Sequence, residues 1–256
     1  MLRTRIIPCL LLRNGGLVKT VKFKNPTYLG DPINAVRIFN EKEVDEIVFL
    51  DITATVENRG PSIKVLTDIA SECFMPLAYG GGVRNLEDAR AIFDLGVEKV
   101  VLNSAAFENP KVIEDIAAIF GNQAVVVSID VKKSLFGKYS VYTRSASKDT
   151  SQDPVSYAKK AVEHGAGEIF LNSIDRDGTG SGYDLSLVQR VCEVVPVPVV
   201  ACGGAASVSD LVSVVSEGGA AAASAGSLFV FHGKHRAVLI NFPARALLEQ
   251  SFSSVA

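Results

Sequence analysis

The 256-residue chain has no uninterrupted apolar stretch of membrane-spanning length. Nor is a signal peptide expected, because Arg3 and Arg5 are followed by only a short apolar run. Charge of one sign is also missing: 26 Lys and Arg against 28 Asp and Glu leave a net −2. That balance gives no support to a nucleic-acid or membrane-surface role. The four cysteines (Cys9, Cys73, Cys192 and Cys202) lack CxxC spacing, and no His/Cys/carboxylate spacing suggests a metal. Neither metal nor cofactor is expected, and reduced structural thiols suit a cytoplasmic protein. No Gly-x-Gly-x-x-Gly follows the first strand, which argues against an open doubly wound sheet. No linker or low-complexity stretch divides the chain, so one domain is expected over residues 1–256.

What is present is a large core, since 48% of residues are hydrophobic and 21% charged. Short apolar, β-rich runs recur at 6–12, 47–50, 76–79, 100–102, 124–129, 169–171, 197–201 and 220–225. Helical periodicity fills segments between them, such as 31–41, 85–95, 109–120, 153–164, 184–194 and 208–216. Asn109-Pro110 and Asp153-Pro154 are good helix starts, and Gly96, Gly121, Gly165 and Gly218 good stops. Continuous apolar strands alternating with amphipathic helices imply a parallel sheet covered by helices. Eight such units predict an α/β fold, a (β/α)8 barrel. Residues 132–152, polar and Ser-rich, form the longest irregular segment, either a lid or a surface excursion.

An internal repeat with one register supports the barrel. Glu46-Ile47 returns as Glu168-Ile169, residues 76–81 as 198–203, and Phe107 as Phe229, each 122 positions on. Two half-barrels of four βα units are the simplest account.

In such a barrel function collects at the C-terminal ends of the strands. Those ends carry Leu11, Asp51, Gly80-Gly81-Gly82, Asn103-Ser104, Asp130, Asp175 to Gly178, Gly203-Gly204 and Gly226-Ser227. Glycines and small residues there serve tight turns or expose backbone N–H groups to phosphate. Two such clusters in register with the repeat predict a long ligand with two phosphate-like groups. Asp130 ends an apolar strand, so desolvation is expected to raise its pKa and suit it to acid–base work. The bland reading is an ion pair with Lys132 or Lys133, or a helix cap. His164 reads as a solvated helix end. His232, Lys234, His235 and Arg236 read as the basic start of the last helix or a local anion contact. At the opposite end Arg5, Glu46, Lys99 and Glu168 open four strands, either as solvated charges or as a closed ionic ring.

The strings Arg5-Ile6-Ile7, Val48 to Thr53, Tyr79-Gly80-Gly81-Gly82, Ser173 to Thr179 and Ser181 to Asp184 resemble the HisF-type cyclase subunit of imidazole glycerol phosphate synthase. The similarity runs to about Phe231. It implies a barrel that binds a bis-phosphorylated substrate at its top and a HisH-like glutaminase at its bottom, with ammonia passing between them. Arg5, Glu46, Lys99 and Glu168 would be the ammonia gate. Gly82, Asn103 and Ser104 on one side, and Asp177, Gly178, Gly204, Gly226 and Ser227 on the other, would hold phosphates. Lys19, Asp51, Gly81, Asn172, Cys202 and Gly203 complete the expected substrate site. Of the family's two catalytic aspartates, the strand-five one is Asp130.

The strand-one position is Leu11, which cannot transfer a proton. Asn172 and Cys202 also stand where the family has small hydroxyl residues. With the strings 9–12, 16–23 and 226–236, these departures are similar to a paralogous acetamidino-modification (AglZ-like) branch of surface-polysaccharide biosynthesis. That branch implies a nucleotide-sugar substrate and a sugar amidotransferase beside the glutaminase. Three readings stay open: an ammonia-using subunit for nucleotide-sugar modification, a histidine-pathway cyclase, and a silent ammonia-channelling scaffold. Single-subunit isomerases with the same doubled barrel fit less well, having no use for a gate.

Overall fold

The computed structural model describes residues 4–253, so the outermost residues of the expected 1–256 domain, Arg3 among them, lie outside the described residues. Eight parallel strands form the barrel: β1 (Arg5–Arg13), β2 (Ile47–Asp51), β3 (Leu77–Gly80), β4 (Lys99–Leu102), β5 (Val125–Lys133), β6 (Glu168–Ser173), β7 (Val199–Cys202) and β8 (Ala222–Ala225). Each pairs with the next, and β8 returns to β1 with Arg5 opposite Ala222 and Pro8 opposite Ala225. The strands are almost wholly buried, which is why they read as unbroken apolar runs rather than as alternation.

Helices α1 (Pro32–Glu41), α2 (Ile63–Glu72), α3 (Leu86–Phe93), α4 (Lys111–Phe120), α5 (Pro154–Glu163), α6 (Leu185–Cys192), α7 (Val208–Ser216) and α8 (Arg245–Ser253) alternate with the strands. Their starts are chemically marked. The Asp31 and Asp153 carboxylates accept from the backbone N–H of Ile33 and Ser156, each with proline at the first helical position. Ser207 and Asp210 close a capping box on α7. The repeat is carried into three dimensions: α1 recurs as α5, both bounded by Pro and Glu, at the offset of 122 seen in the sequence.

The barrel buries apolar side chains on both faces. Phe39, Phe49, Leu66, Tyr79 and Phe229 fill the layer between strands and helices. Ile7, Val48, Val101, Val126, Phe170 and Val200 fill the barrel axis.

Three expectations need correction. Segment 132–152 is not irregular: β5 runs on to Lys133, turns through Ser134 and Gly137, and pairs antiparallel with Tyr139–Thr143, which in turn pairs with Lys148–Asp149. Tyr139, Val141 and Thr143 are buried while Ser140 and Tyr142 are less so, a two-residue period hidden among polar residues. A second hairpin, Gly16–Val21 with Lys24–Gly30, continues β1 in the same way. The basic segment 231–236 does not start the last helix, which begins at Arg245. It lies in a hairpin of Phe231–His232 with Ala237–Val238. After α7 it is Gly219 rather than Gly218 that takes the left-handed conformation, because Gly218 still follows the helix with its N–H on Ser213. No helix among the described residues is long and apolar enough to cross a membrane.

Phe170 is fully buried on the barrel axis, so truncation leaves a cavity that rigid strands cannot close. Phe170→Ala is expected to lower stability by about 3–5 kcal/mol. The measurement is the urea-unfolding midpoint at unchanged slope, and a shift worth under about 1 kcal/mol would mean the axis is loosely packed.

Candidate functional site

At the N-terminal end of the barrel four charged side chains from four strands or strand edges meet on the axis. Arg5 donates to both Glu46 and Glu168. Lys99 Nζ lies 2.9 Å from Glu46 Oε1 and 2.9 Å from Glu168 Oε2. Each acid therefore touches both bases, in a closed ring of zero net charge. Glu46 and Glu168 are buried, while Arg5 and Lys99 keep some contact with solvent. Burial opposes the Arg5 charge, but Glu168 and Glu46 outweigh it and the guanidinium pKa ends above its ordinary value. The reading as separate solvated charges does not hold.

At the other end a cavity opens among the strand C-termini. Its wall includes Cys9, Leu11, Leu50, Asp130, Asn172 and Cys202, with glycines at 81, 82, 203, 204 and 226. Leu11 stands on β1 with no proton to give, beside Leu50.

The mouth carboxylates separate by what holds them. Asp51 is bound to Arg59 at 2.8 Å and accepts from the N–H groups of Thr53 and Ala54. Asp177 takes Lys19 at 2.5 Å, the Thr20 hydroxyl at 2.7 Å and the Phe23 N–H at 3.2 Å. Asp175 accepts from the Lys133 N–H at 2.7 Å. Asp130 meets weak neutral donors, Asn103 Nδ2 at 3.3 Å and Ser128 Oγ at 3.5 Å, with the Asn172 amide as a further partner. The ion pair with Lys132 or Lys133 does not form; those ammonium groups lie over the rings of Tyr142 and Tyr139. Burial drives the Asp130 pKa from 3.8 up to about 7, Asp177 adds to the shift, and Ser128 and Asn172 oppose it. At neutral pH this carboxyl is poised to give or take a proton.

The two glycine clusters lie across the cavity. On one side Gly82 and Asn103-Ser104 precede the short helix Ser104–Glu108; on the other Gly204 and Gly226-Ser227 precede Ser227–Val230. Packing alone requires some of these glycines. A Cβ on Gly204, which has φ +115°, would fall 2.0 Å from the Gly182 carbonyl oxygen, and one on Gly82 2.7 Å from the Gly60 carbonyl carbon. The tight-turn reading is therefore true, and the same close packing leaves backbone bare toward the cavity.

The sides are not equally open. Ser104 Oγ already bonds Asn103 and accepts from the Arg144 N–H at 3.0 Å. Ser227 Oγ and Asn172 Oδ1 are buried without a partner among the described residues. Such atoms call for a ligand group or water. Cys9 and Cys202 face each other in the wall, and that contact with burial pushes the Cys9 thiol well above its usual pKa, so it is a wall residue and not a nucleophile.

Several residues escaped the sequence reading. Arg59 neutralises Asp51, Ser145 donates to the Ile52 carbonyl at 2.6 Å, and Arg144 reaches Ser104. Nothing in their spacing marks them, because the hairpin that carries two of them read as a loop. His164 is paired with Glu114 on the surface at 2.6 Å rather than simply solvated.

A closed parallel barrel with a glycine-rich mouth and a charged ring at its base defines a class, and comparison with known proteins gives the family. The family model described as histidine biosynthesis protein matches residues 5–236. A protein of Pseudomonas aeruginosa, provisionally named imidazole glycerol phosphate synthase subunit hisF2, is 54% identical over 95% of this chain and 97% of its own. A HisF subunit of Leptospira interrogans, also provisionally named, is 52% identical over 98% of this chain and all of its own. The imidazole glycerol phosphate synthase subunit HisF of Alkaliphilus metalliredigens is 47% identical over 91% of this chain and 92% of its own. The chain belongs to the histidine biosynthesis protein family and, within it, to the HisF-type subunits of imidazole glycerol phosphate synthase.

The Asp130 pKa links the site to stability. The folded state holds this proton up to about pH 7, whereas an unfolded aspartate releases it near 3.8. Its contribution is therefore complete below about pH 4 and is lost as pH rises through 7. Asp130→Asn removes that dependence. Its melting temperature is expected to exceed that of the native chain at pH 8, with the gap closing toward pH 5. A gap that stays constant with pH, followed by circular dichroism, would show that Asp130 is not the titrating group.

Proposed function

We propose that this chain is the ammonia-accepting synthase subunit of a HisF-type glutamine amidotransferase, binding a phosphorylated substrate at the barrel top. The observation that carries this reading is the closed ring of Arg5, Glu46, Lys99 and Glu168, coaxial with the Asp130 cavity. A neutral polar ring with its acids buried adds little stability that apolar packing would not match. It fits an entrance for a small polar molecule delivered by a HisH-like glutaminase on the strand N-terminal face. Above the ring, Ile7, Val48, Val101, Val126 and Phe170 line the axis. Neutral ammonia can cross such a lining far more readily than ammonium, because burying an unpaired charge is costly.

At the top, the cradles at Gly82, Asn103 and Ser104 and at Gly178, Gly204, Gly226 and Ser227 would hold the substrate by its phosphates. Lys19, Asn172, Cys202, Gly81, Gly203, Asp51 and Asp177 would shape the space between. Asp130 would move the proton from the attacking nitrogen toward the departing oxygen. Work in the cytoplasm, without metal or cofactor, agrees with this chemistry.

Which acceptor receives the nitrogen divides two readings. The names of the relatives support imidazole glycerol phosphate synthase chemistry in histidine biosynthesis. Leu11 favours the second, in which a nucleotide sugar of surface-polysaccharide (O-antigen) biosynthesis is the acceptor and a sugar amidotransferase completes the system. Without the acid on β1, Asp130 works alone, and losing one of two acid–base groups commonly costs ~10²–10⁴-fold in rate. Turnover of the histidine-pathway substrate with ammonium is therefore expected to fall far below the usual enzyme range of about 1–10³ per second, and Leu11→Asp to recover part of it. A normal turnover rate for the native chain would establish the histidine reading.

The gate has its own test. In a complex with the glutaminase, Lys99→Ala is expected to leave glutamine hydrolysis largely intact and to lower product formation from glutamine. Product formation from added ammonium should suffer less. Equal loss with the two nitrogen sources would mean that the ring only supports the barrel.

A further inference from the structure

The basic segment 231–236 takes no part in the cavity, yet the fold brings it to the cavity's rim. Its hairpin carries Gly233, Lys234, His235 and Arg236 between the paired residues. The Arg236 guanidinium lies over the Phe231 ring, 4.5 Å from its centroid, and Nη1 donates to the Gly178 carbonyl at 3.2 Å. Gly178 lines the cavity together with Gly204, Gly226 and Ser227. One residue therefore latches the hairpin to the outer edge of the second cradle. The first hairpin packs against the same loop, where the Lys22 N–H donates to the Asp177 carbonyl at 2.9 Å.

Charge separates the inside of this region from its rim. Among the described residues Lys19 is the one cationic side chain in the cavity wall, and Asp177 neutralises it at 2.5 Å. The cradle itself offers glycine backbone and the Ser227 hydroxyl, which has no partner among the described residues. Outside, Arg236, Lys234 and Lys22 are exposed, and among the described residues none of them pairs with a carboxylate. Asp175, in the same loop as Gly178, is turned to the Lys133 N–H instead. A single phosphate in the cradle meets a nearly neutral site. A second phosphate joined to it and reaching outward enters a field of unpaired cations.

We propose that the 231–238 hairpin and the 175–182 loop form an outer anion site in series with the cradle at Gly204, Gly226 and Ser227, so that the substrate end bound there is a diphosphate, as in a nucleoside diphosphate derivative. This rests on the reading of the cavity as a phosphorylated-substrate site and adds how many phosphates it takes, and at which end.

The test titrates inorganic phosphate and inorganic pyrophosphate into the full chain by calorimetry, without divalent cations and at fixed ionic strength. The native chain is expected to prefer pyrophosphate by about tenfold. Lys234→Glu and Arg236→Gln are each expected to weaken pyrophosphate about fivefold and to leave phosphate within about twofold. Arg236 also holds Gly178, so its loss could disturb the cradle. Lys234→Glu changes charge alone and keeps the proposal falsifiable. Equal affinity of the native chain for the two anions overturns the proposal, as does parallel weakening of the two anions in Lys234→Glu. A native chain that binds neither anion overturns the phosphorylated-substrate reading itself, and the outer site with it.

Discussion

When β8 pairs with β1, from Arg5 opposite Ala222 to Pro8 opposite Ala225, the sheet closes and alternate side chains of eight strands are forced onto one axis. Every feature of the site follows from that crowding. At the base, charged residues that open separate strands are brought within 3 Å of one another with little water, and they must neutralise each other. Farther up, β8 supplies only Ala222, Ala223, Ser224 and Ala225, small side chains that leave the upper axis room for a cavity. Closure also removes the sheet edges that a set of such apolar strands would otherwise expose to other chains.

The same burial has opposite consequences at the two ends of the axis, and the difference lies in the partners. Glu46 and Glu168 each touch two cations, so their charge is matched where it sits. Asp130 is as deeply placed, but among the described residues no cation pairs with it: Lys19 is held by Asp177, and Arg59 by Asp51. Left with two amides and a hydroxyl, its carboxyl is pushed to about 7. A buried acid kept without a counter-ion weakens the fold at neutral pH, and its environment is what a proton-transfer group needs.

The half-barrel repeat builds the scaffold, and the chemistry lies where the repeat is broken. Glu46 and Glu168 are repeat mates, but where Arg5 and Lys99 open β1 and β4, the matching strands β5 and β8 open with the apolar Val125 and Ala222. The ring thus has duplicated acids and unduplicated bases. Likewise Asn103 and Ser104, at the start of the short helix after β4, correspond to Gly226 and Ser227 at the start of the short helix after β8, so one half lacks the amide while both keep the hydroxyl. One cradle has its hydroxyl occupied by the Arg144 N–H, and the other keeps the Ser227 hydroxyl open beneath the Arg236 latch. A substrate held between such unlike ends is bound in one direction.

By itself the sequence determined the eight apolar runs, the capped helices and the register of the two halves, because burial on both faces and helix-end hydrogen bonds act within a few residues. It also determined the ring members, since a barrel places strand starts at one end whatever the loops do. The buried, raised pKa of Asp130 could be anticipated from the apolar strand before it. Only the tertiary structure decided that Asp130 is left without a cation, that Arg59 is spent on Asp51, and that 132–152 is a hairpin lending Arg144 and Ser145 to the mouth. It alone turned a basic segment near the C-terminus into a latch on Gly178, 58 positions earlier in the chain. Local patterns record which face of an element is buried. Which charge meets which is settled by distances between residues that chain order leaves far apart, and electrostatic partnership depends on those distances alone.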